Sequence, residues 1–114
     1  MSTTTTLSTA DICDKAADII AANGHCRSYL YDTKQAAGGT PLTECRVDLI
    51  GAINIALYGT PRYTGTGLGA AAEQALLERI PGPSIVTWND TKGRTKHDAI
   101  ALLRDTATAL REAS

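Results

Sequence analysis

The chain has 114 residues, a formal net charge of −1 and three cysteines, and it contains four tyrosines, one tryptophan and no phenylalanine. A chain of this length fits one domain that can build a core without disulfides or metals. The basic residues form no run, which disfavours binding to a nucleic-acid backbone. An odd number of cysteines without a Cys-x-x-Cys pair is typical of free thiols in a reducing compartment, so we expect a cytoplasmic protein.

The N-terminal residues predict a tail followed by a helix. Residues 1–7 are rich in Ser and Thr, and we expect a disordered tail before a single helical domain over residues 8–114. Neither a signal peptide nor a run of ~20 apolar residues is present, so no membrane association is expected. Ser8 and Asp11 form a capping-box pattern, and Gly24 ends the helix. The apolar stripe of this helix consists of Ile12, Ala16, Ile19 and Ile20.

The next segment predicts a strand, a loop and a central helix. Residues 25–32 alternate tyrosines with smaller side chains, as in a short strand, and the polar residues 33–39 predict a loop. A second helix is expected to open at Thr40-Pro41, since proline in a first turn forfeits no hydrogen bond. Its apolar stripe consists of Leu42, Cys45, Leu49, Ala52, Ile53, Ala56 and Leu57.

The third helix is expected over residues 68–80, after a Gly-rich connection at residues 59–69. Pro81-Gly82-Pro83 stops it. Residues 84–88 are β-branched and predict a second strand, which could pair with residues 26–31. That pairing would form a minimal two-stranded sheet beside the helices.

The last helix is predicted from Lys96 to about Glu112, with Thr95 and Asp98 as its capping box. Its buried stripe consists of Ile100, Leu103, Ala107 and Leu110. Together these elements predict a mainly α fold, a compact bundle of about four helices with a minor two-stranded β element.

The most distinctive motif is Trp88-Asn89-Asp90, followed by Arg94-Thr95. Asn and Asp favour tight turns, and Thr95 can accept hydrogen bonds from the first N–H groups of the last helix. Arg94 is close enough in sequence to Asp90 to brace the turn, and Trp88 is the only indole in the chain. We therefore interpret all five residues as structural: a turn that fixes the last helix against the core, with Trp88 as a core anchor.

This motif and the Leu-rich helix after it resemble a family of small actinobacterial and actinobacteriophage proteins of unknown function. Those proteins share a Trp-Asn-Asp turn, an Arg-Thr pair about four residues later and a Leu-rich closing helix. The resemblance extends more loosely to the first helix and to Cys26 and Cys45. It departs at His25 and Glu44, where family members often carry aromatic residues, and near Asp48, where they tend to have glycine. The resemblance implies a phage or phage-derived setting and transfers no catalytic residue.

An enzyme is the alternative interpretation of the same motif. Asp90, Arg94 and His97 together could serve a small hydrolase. That hypothesis predicts that the three side chains converge on a concave pocket containing an acid or base with a perturbed pKa. The structural interpretation assigns no catalytic residue, and neither interpretation calls for a cofactor.

Two further motifs have a functional and a structural interpretation. The Gly65–Gly69 segment before an Ala-rich helix could cradle an anion, but it follows a helix rather than a strand, and a flexible loop explains it better. His25 and Cys26 with Cys45 could form a metal or thiol site. Adjacent strand residues point to opposite faces and structural zinc needs four ligands, so we interpret the cysteines as packed in the core and assign no metal.

Two surfaces are candidates for association. The small side chains of Ala70–Ala75 allow either a close helix contact or a homodimer face. Tyr58, Arg62 and Tyr63 flank the long connection and are residue types enriched at binding hot spots, so we predict a partner-binding surface there. The sequence therefore favours a non-catalytic accessory protein that binds a host or phage protein.

Overall fold

The computed structural model describes residues 7–62 and 67–114, and in these residues every regular element is a helix. The elements in chain order are α1 (Thr9–Asn23), α2 (Thr33–Ala37), a 3-10 turn (Leu42–Glu44), α3 (Leu49–Tyr58), α4 (Gly67–Leu77), α5 (Ile85–Asp90) and α6 (Lys96–Ala113). No helix in the described ranges is long and apolar enough to cross a membrane. The tail predicted at residues 1–7 lies outside the described residues except for Leu7.

The core lies where α1 packs against α6 on one side and against α3 on the other, with α4 beside them. The fully buried apolar side chains are small or aliphatic and include Ala16, Ile20 and Leu103. Along the outer edge of the α1–α6 pair, Arg104 pairs with Asp14 and Asp18, and Arg111 with Asp11 and Asp14. Higher residue numbers on α6 meet lower ones on α1, so the two helices are antiparallel.

The predicted first and last helices are confirmed, together with their caps. The Ser8 hydroxyl accepts from the Asp11 N–H, and the Asp11 carboxylate accepts from the Ser8 N–H. Thr95 and Asp98 form the same reciprocal pair at the start of α6. Each capping box satisfies helix N–H groups that no carbonyl of the helix can reach, which explains why both helices begin where the pattern predicts.

The central helix begins later than predicted. Only one 3-10 turn follows Pro41, residues 45–47 are extended, and α3 starts after Asp48, whose carboxylate caps it. The extended segment is held by backbone hydrogen bonds: the Val47 N–H donates to the Gly24 carbonyl and its carbonyl accepts from the Cys26 N–H. Cys45 is buried as expected, although in an extended rather than a helical segment, and Val47 of the same segment is also buried.

The prediction of a strand at residues 84–88 is wrong, because Ile85–Asp90 is helical. Ser84 caps the helix by accepting a hydrogen bond from the Thr87 N–H. Ile85 and Asn89, one turn apart, are both buried. Helical spacing thus buries the two side chains that contact the core, and this packing overrides the β-propensity of three successive β-branched residues.

The predicted two-stranded sheet is also absent from the described part of the chain. Residues near the predicted first strand form two isolated bridges, His25 with Val47 in parallel and Tyr31 with Val47 antiparallel. The segment 24–32 therefore wraps around Val47 instead of pairing with residues 84–88. The predicted loop at residues 33–39 contains α2, which Asp32 caps through the Lys34 and Gln35 N–H groups.

The third helix is present as α4, which ends at Leu77 rather than at Ile80. The Gly-rich connection before it is outside the described residues at 63–66, and with it most of the candidate anion loop. The four longest helices of the described ranges, α1, α3, α4 and α6, match the predicted bundle of about four helices.

A close backbone approach joins segment 24–32 to α3. The Leu30 carbonyl accepts from the Asp48 N–H and lies over the first turn of α3. A Cβ atom added at Gly51 would overlap with that carbonyl oxygen. Only glycine leaves room for this contact, so Gly51 is required by packing rather than by its own dihedral angles.

Replacing Gly51 by alanine should therefore destabilise the protein by roughly 1–3 kcal/mol or more, because a backbone atom must move. Gly69→Ala in α4 is the matched control, since its Cβ would make ordinary contacts at 3.7 and 3.8 Å. The control should gain up to about 1 kcal/mol from helix propensity. Urea unfolding followed by circular dichroism measures both changes, and a stabilising Gly51→Ala would contradict the close approach.

Candidate functional site

The side chain of Asn89 is the polar centre of the described structure. It is 1% exposed and lies on the inner face of α5. Its oxygen is 2.7 Å from His25 Nε2 and accepts from the Leu49 N–H at 3.1 Å. Its amide nitrogen donates to the Cys26 carbonyl at 3.1 Å and to the Asp90 carboxylate at 2.9 Å. One carboxamide thus joins α5, the loop after α1 and the start of α3.

These contacts also show that Nε2 of His25 is a hydrogen-bond donor. The Leu49 N–H can only donate and the Cys26 carbonyl can only accept, so the orientation of the Asn89 carboxamide is determined by its backbone partners. The Asn89 oxygen must then accept from His25, and Nε2 carries the hydrogen. We call Asn89, Asp90 and the groups they bind (His25, Cys26, Ser28 and Leu49) the Asn89 network.

Asp90 extends the network to a strained turn. Its carboxylate accepts from the Ser28 N–H at 2.8 Å as well as from Asn89. Ser28 has a φ of +76° and is the one non-glycine residue in the left-handed region within the described ranges. Such a conformation costs free energy and persists where the surroundings hold it. The hydrogen bond from the Ser28 N–H to Asp90 stabilises this conformation, so the Asp90 carboxylate has a structural contact.

The structure corrects the predicted turn around Trp88. Trp88-Asn89-Asp90 is the last turn of α5, and the chain reverses afterwards, where the Arg94 N–H donates to the Thr91 carbonyl. Arg94 does not brace Asp90: its Nε donates to the Trp88 carbonyl at 2.9 Å. Its guanidinium carbon lies 3.7 Å from the centre of the Trp88 ring, a cation–π contact. Trp88 is half-buried at the edge of the core rather than within it.

The residues of the enzyme hypothesis are engaged elsewhere. Asp90 belongs to the Asn89 network, Arg94 covers Trp88, and His97 is exposed in the first turn of α6. None of the three is among the residues that line the cleft between α3, α4 and α5 or two further clefts of the described residues.

Asp48 is a buried acid that the sequence interpretation did not single out. Its side chain is 6% exposed, and one carboxylate oxygen accepts from the Gly51 N–H at 2.6 Å. Burial raises its pKa to about 7, and the negative charges of Asp90 and Glu73 add to the rise. The available signal was its position: Asp is a preferred N-cap, and the uniformly apolar helix begins directly after it.

The three cysteines are free thiols with separate surroundings. Cys26 donates to the Tyr29 carbonyl, and Cys45 lies within hydrogen-bonding distance of the Thr40 and Pro41 carbonyls. Burial raises the pKa of Cys26 to about 12 and that of Cys13 to about 11, and it also raises the pKa of Cys45. Thiols held in the protonated form are weak nucleophiles, which favours the packing interpretation.

A cleft with a volume of about 360 Å³ lies between α3, α4 and α5. Its apolar wall consists of Ile50, Ala70, Leu77, Pro83, Ile85 and Val86, and its polar groups are Glu73, Gln74 and Ser84. Val86 is 49% exposed, which is unusual here for a large apolar side chain. The sequence interpretation missed this cleft because it placed residues 84–88 in a strand.

The predicted partner surface is only partly described. Arg62 is exposed, whereas the Tyr58 hydroxyl is buried and has no hydrogen-bond partner among residues 7–62 and 67–114. Tyr63 lies outside the described residues. The small-residue face of α4 is divided: Ala72 is buried in the core, Ala71 is exposed, and Ala70 lines the cleft.

The described residues form a small helical domain with a buried polar centre at Asn89. The chain belongs to a family of unknown function, DUF6197, whose family model matches residues 4–109. No curated protein and no solved structure matches the chain.

The Asn89 network predicts a large effect of one substitution. Asn89→Ala removes four hydrogen bonds and leaves the buried Leu49 N–H and the half-buried Cys26 carbonyl unpaired, so we expect a loss of about 3–5 kcal/mol of unfolding free energy. Asn23→Ala is the matched control, because Asn23 makes one hydrogen bond, to the Thr43 carbonyl, and should lose about 0.5–1.5 kcal/mol. Urea denaturation measures both, and equal losses would argue against a central role for Asn89.

Asp48 predicts a specific pH dependence of stability. Its pKa is about 7 in the fold against an ordinary value of 3.8, so between those values the folded state holds a proton that the unfolded state releases. The contribution of Asp48 to stability is therefore largest below pH about 4, falls as the pH rises and levels off above pH about 7. Asp48→Asn keeps a good N-cap and removes the ionisation.

We expect Asp48→Asn to match the wild type near pH 4 and to exceed its unfolding free energy by roughly 2–4 kcal/mol at pH 8. Urea titrations at the two pH values measure the difference. A difference that stays constant with pH would show that the carboxyl ionises as easily in the fold as in the unfolded chain.

Proposed function

We propose that this protein is a non-catalytic accessory protein, acting in the cytoplasm of an actinobacterial host, that binds a host or phage protein. The observation that carries the proposal is the cleft between α3, α4 and α5, where Val86 offers apolar surface to solvent. Exposed apolar surface rimmed by polar groups is typical of interaction sites. The phage setting rests on the resemblance of the Trp88–Thr95 segment.

The polar residues of the chain support binding over catalysis. Asn89 and Asp90 hold backbone segments together, and Arg94 covers an indole ring. These contacts are structural ones, which favours binding over catalysis. A hydrolase using Asp90, Arg94 and His97 is accordingly the weaker proposal.

Two surfaces compete for the partner. The cleft around Val86 is one, and the surface around Tyr58, Arg62 and Tyr63 is the other. We favour the cleft because it is concave and apolar. The Tyr58 hydroxyl, in contrast, is buried and cannot donate a hydrogen bond to a partner. A homodimer through the exposed part of α4, at Ala71, is a separate proposal that sedimentation would test.

Affinity capture from actinobacterial lysate, with and without phage infection, tests the proposal. Val86→Asp places a charge in the cleft and should reduce recovery of the specific partner at least about tenfold, because desolvating a charge against an apolar surface opposes binding. Ala101→Asp is the matched control, since Ala101 is exposed on α6 away from the cleft. Arg62→Ala tests the competing surface.

The variants that lose recovery of the partner identify the binding surface. Loss with Val86→Asp alone supports the cleft. Loss with Arg62→Ala alone transfers the binding site to the Tyr58, Arg62 and Tyr63 surface. A wild-type protein that recovers no specific partner contradicts a binding function.

A further inference from the structure

The cleft between α3, α4 and α5 contains a carboxylate that no cation of the described residues balances. Glu73 lies on α4 among the side chains of Leu77, Ile50 and Ile85, and it is half-buried. Within the described ranges it makes no ion pair and no side-chain hydrogen bond. Burial raises its pKa, and no contact in this part of the chain opposes the effect.

Several acidic side chains of the described residues have a partner, and the exposed Glu44, Asp105 and Glu112 are solvated. Asp32 binds Arg46, and Asp48 and Asp98 cap helices. The acidic residues of α1 that pair with α6 are Asp11, Asp14 and Asp18. Glu73 differs because a partly desolvated carboxylate against apolar walls lowers stability unless a cation compensates it.

We infer that the cleft binds a segment of a partner protein in which a lysine or arginine is flanked by apolar side chains, with the cation on Glu73. The apolar stem of a lysine or arginine suits the walls formed by Ile85 and Leu77, and its charged end suits the carboxylate. The flanking apolar residues would cover Val86. A volume of about 360 Å³ admits one or two side chains rather than a whole helix. This inference rests on the proposed function and names the chemistry of its partner.

A peptide selection tests the inference and needs no identified partner. Wild-type protein is used to select binders from a random dodecapeptide display library, and the selected peptides are synthesised. We expect a basic residue between apolar residues in the enriched sequences. Glu73→Gln should weaken their binding at least about tenfold, because a charge-assisted contact becomes a neutral one.

Glu78→Gln is the matched control. Glu78 directly follows α4 but lies outside this cleft, and it accepts a hydrogen bond from Gln74. Removing its charge should change the dissociation constant less than about twofold, as for an exposed charge. A saturating selected peptide should also lower the pKa of Glu73, measured from its carboxyl ¹³C shift. A merely structural role for Glu73 would leave that pKa unchanged on binding.

The outcomes separate this inference from the proposed function. Some peptides could lose affinity for Val86→Asp and still bind Glu73→Gln as tightly as the wild type. That result would contradict the pairing of a basic residue with Glu73, while the cleft would remain the binding site. Selected peptides without basic residues would also contradict the pairing with Glu73. Binding that neither substitution changes would overturn both proposals, because the cleft would then not be the site.

Discussion

The structure depends on the carboxamide of Asn89. Between α1 and α3 the chain has only a five-residue helix, a 3-10 turn and two isolated bridges. Repetitive hydrogen bonding therefore cannot hold this region in place. Asn89 does so by saturating all four of its hydrogen-bonding positions with groups from three segments. Because the Asn89 carboxamide is buried and its partners are buried or half-buried, an unmade bond would leave a desolvated polar atom, which makes the arrangement specific as well as stabilising.

The helices that carry their own start signals could be predicted from the sequence. α1 and α6 have capping boxes and clear apolar stripes, and both were found where expected. The errors lie where tertiary contacts override local preference. Ile85, Val86 and Thr87 suit a strand, yet burial of Ile85 and Asn89 on one face makes them helical. Residues 45–47 suit a helix, yet backbone bonds to residues 24–32 keep them extended.

The candidate site was less predictable than the fold for a related reason. The sequence marks Asn89 as distinctive, but its partners His25 and Leu49 are 64 and 40 positions away, and no spacing rule connects them. The cleft could not be predicted because residues 84–88 were placed in a strand. In a strand, Ile85 and Val86 would simply face opposite sides. In a helix that buries residues 85 and 89, Val86 faces outward. It then lines the same cleft as Glu73 of α4.

The antiparallel pairing of α1 with α6 has a consequence for how the chain is made. During synthesis α1 leaves the ribosome well before α6, the helix that covers one of its sides. Asn89, which orders the loop after α1, also emerges much later than that loop. The nascent chain therefore exposes the apolar side of α1 until α6 has emerged, and the core closes in a late step that joins distant parts of the sequence. Truncation within α6 should thus leave an incomplete fold that is a target for chaperones and proteases, rather than a smaller stable domain.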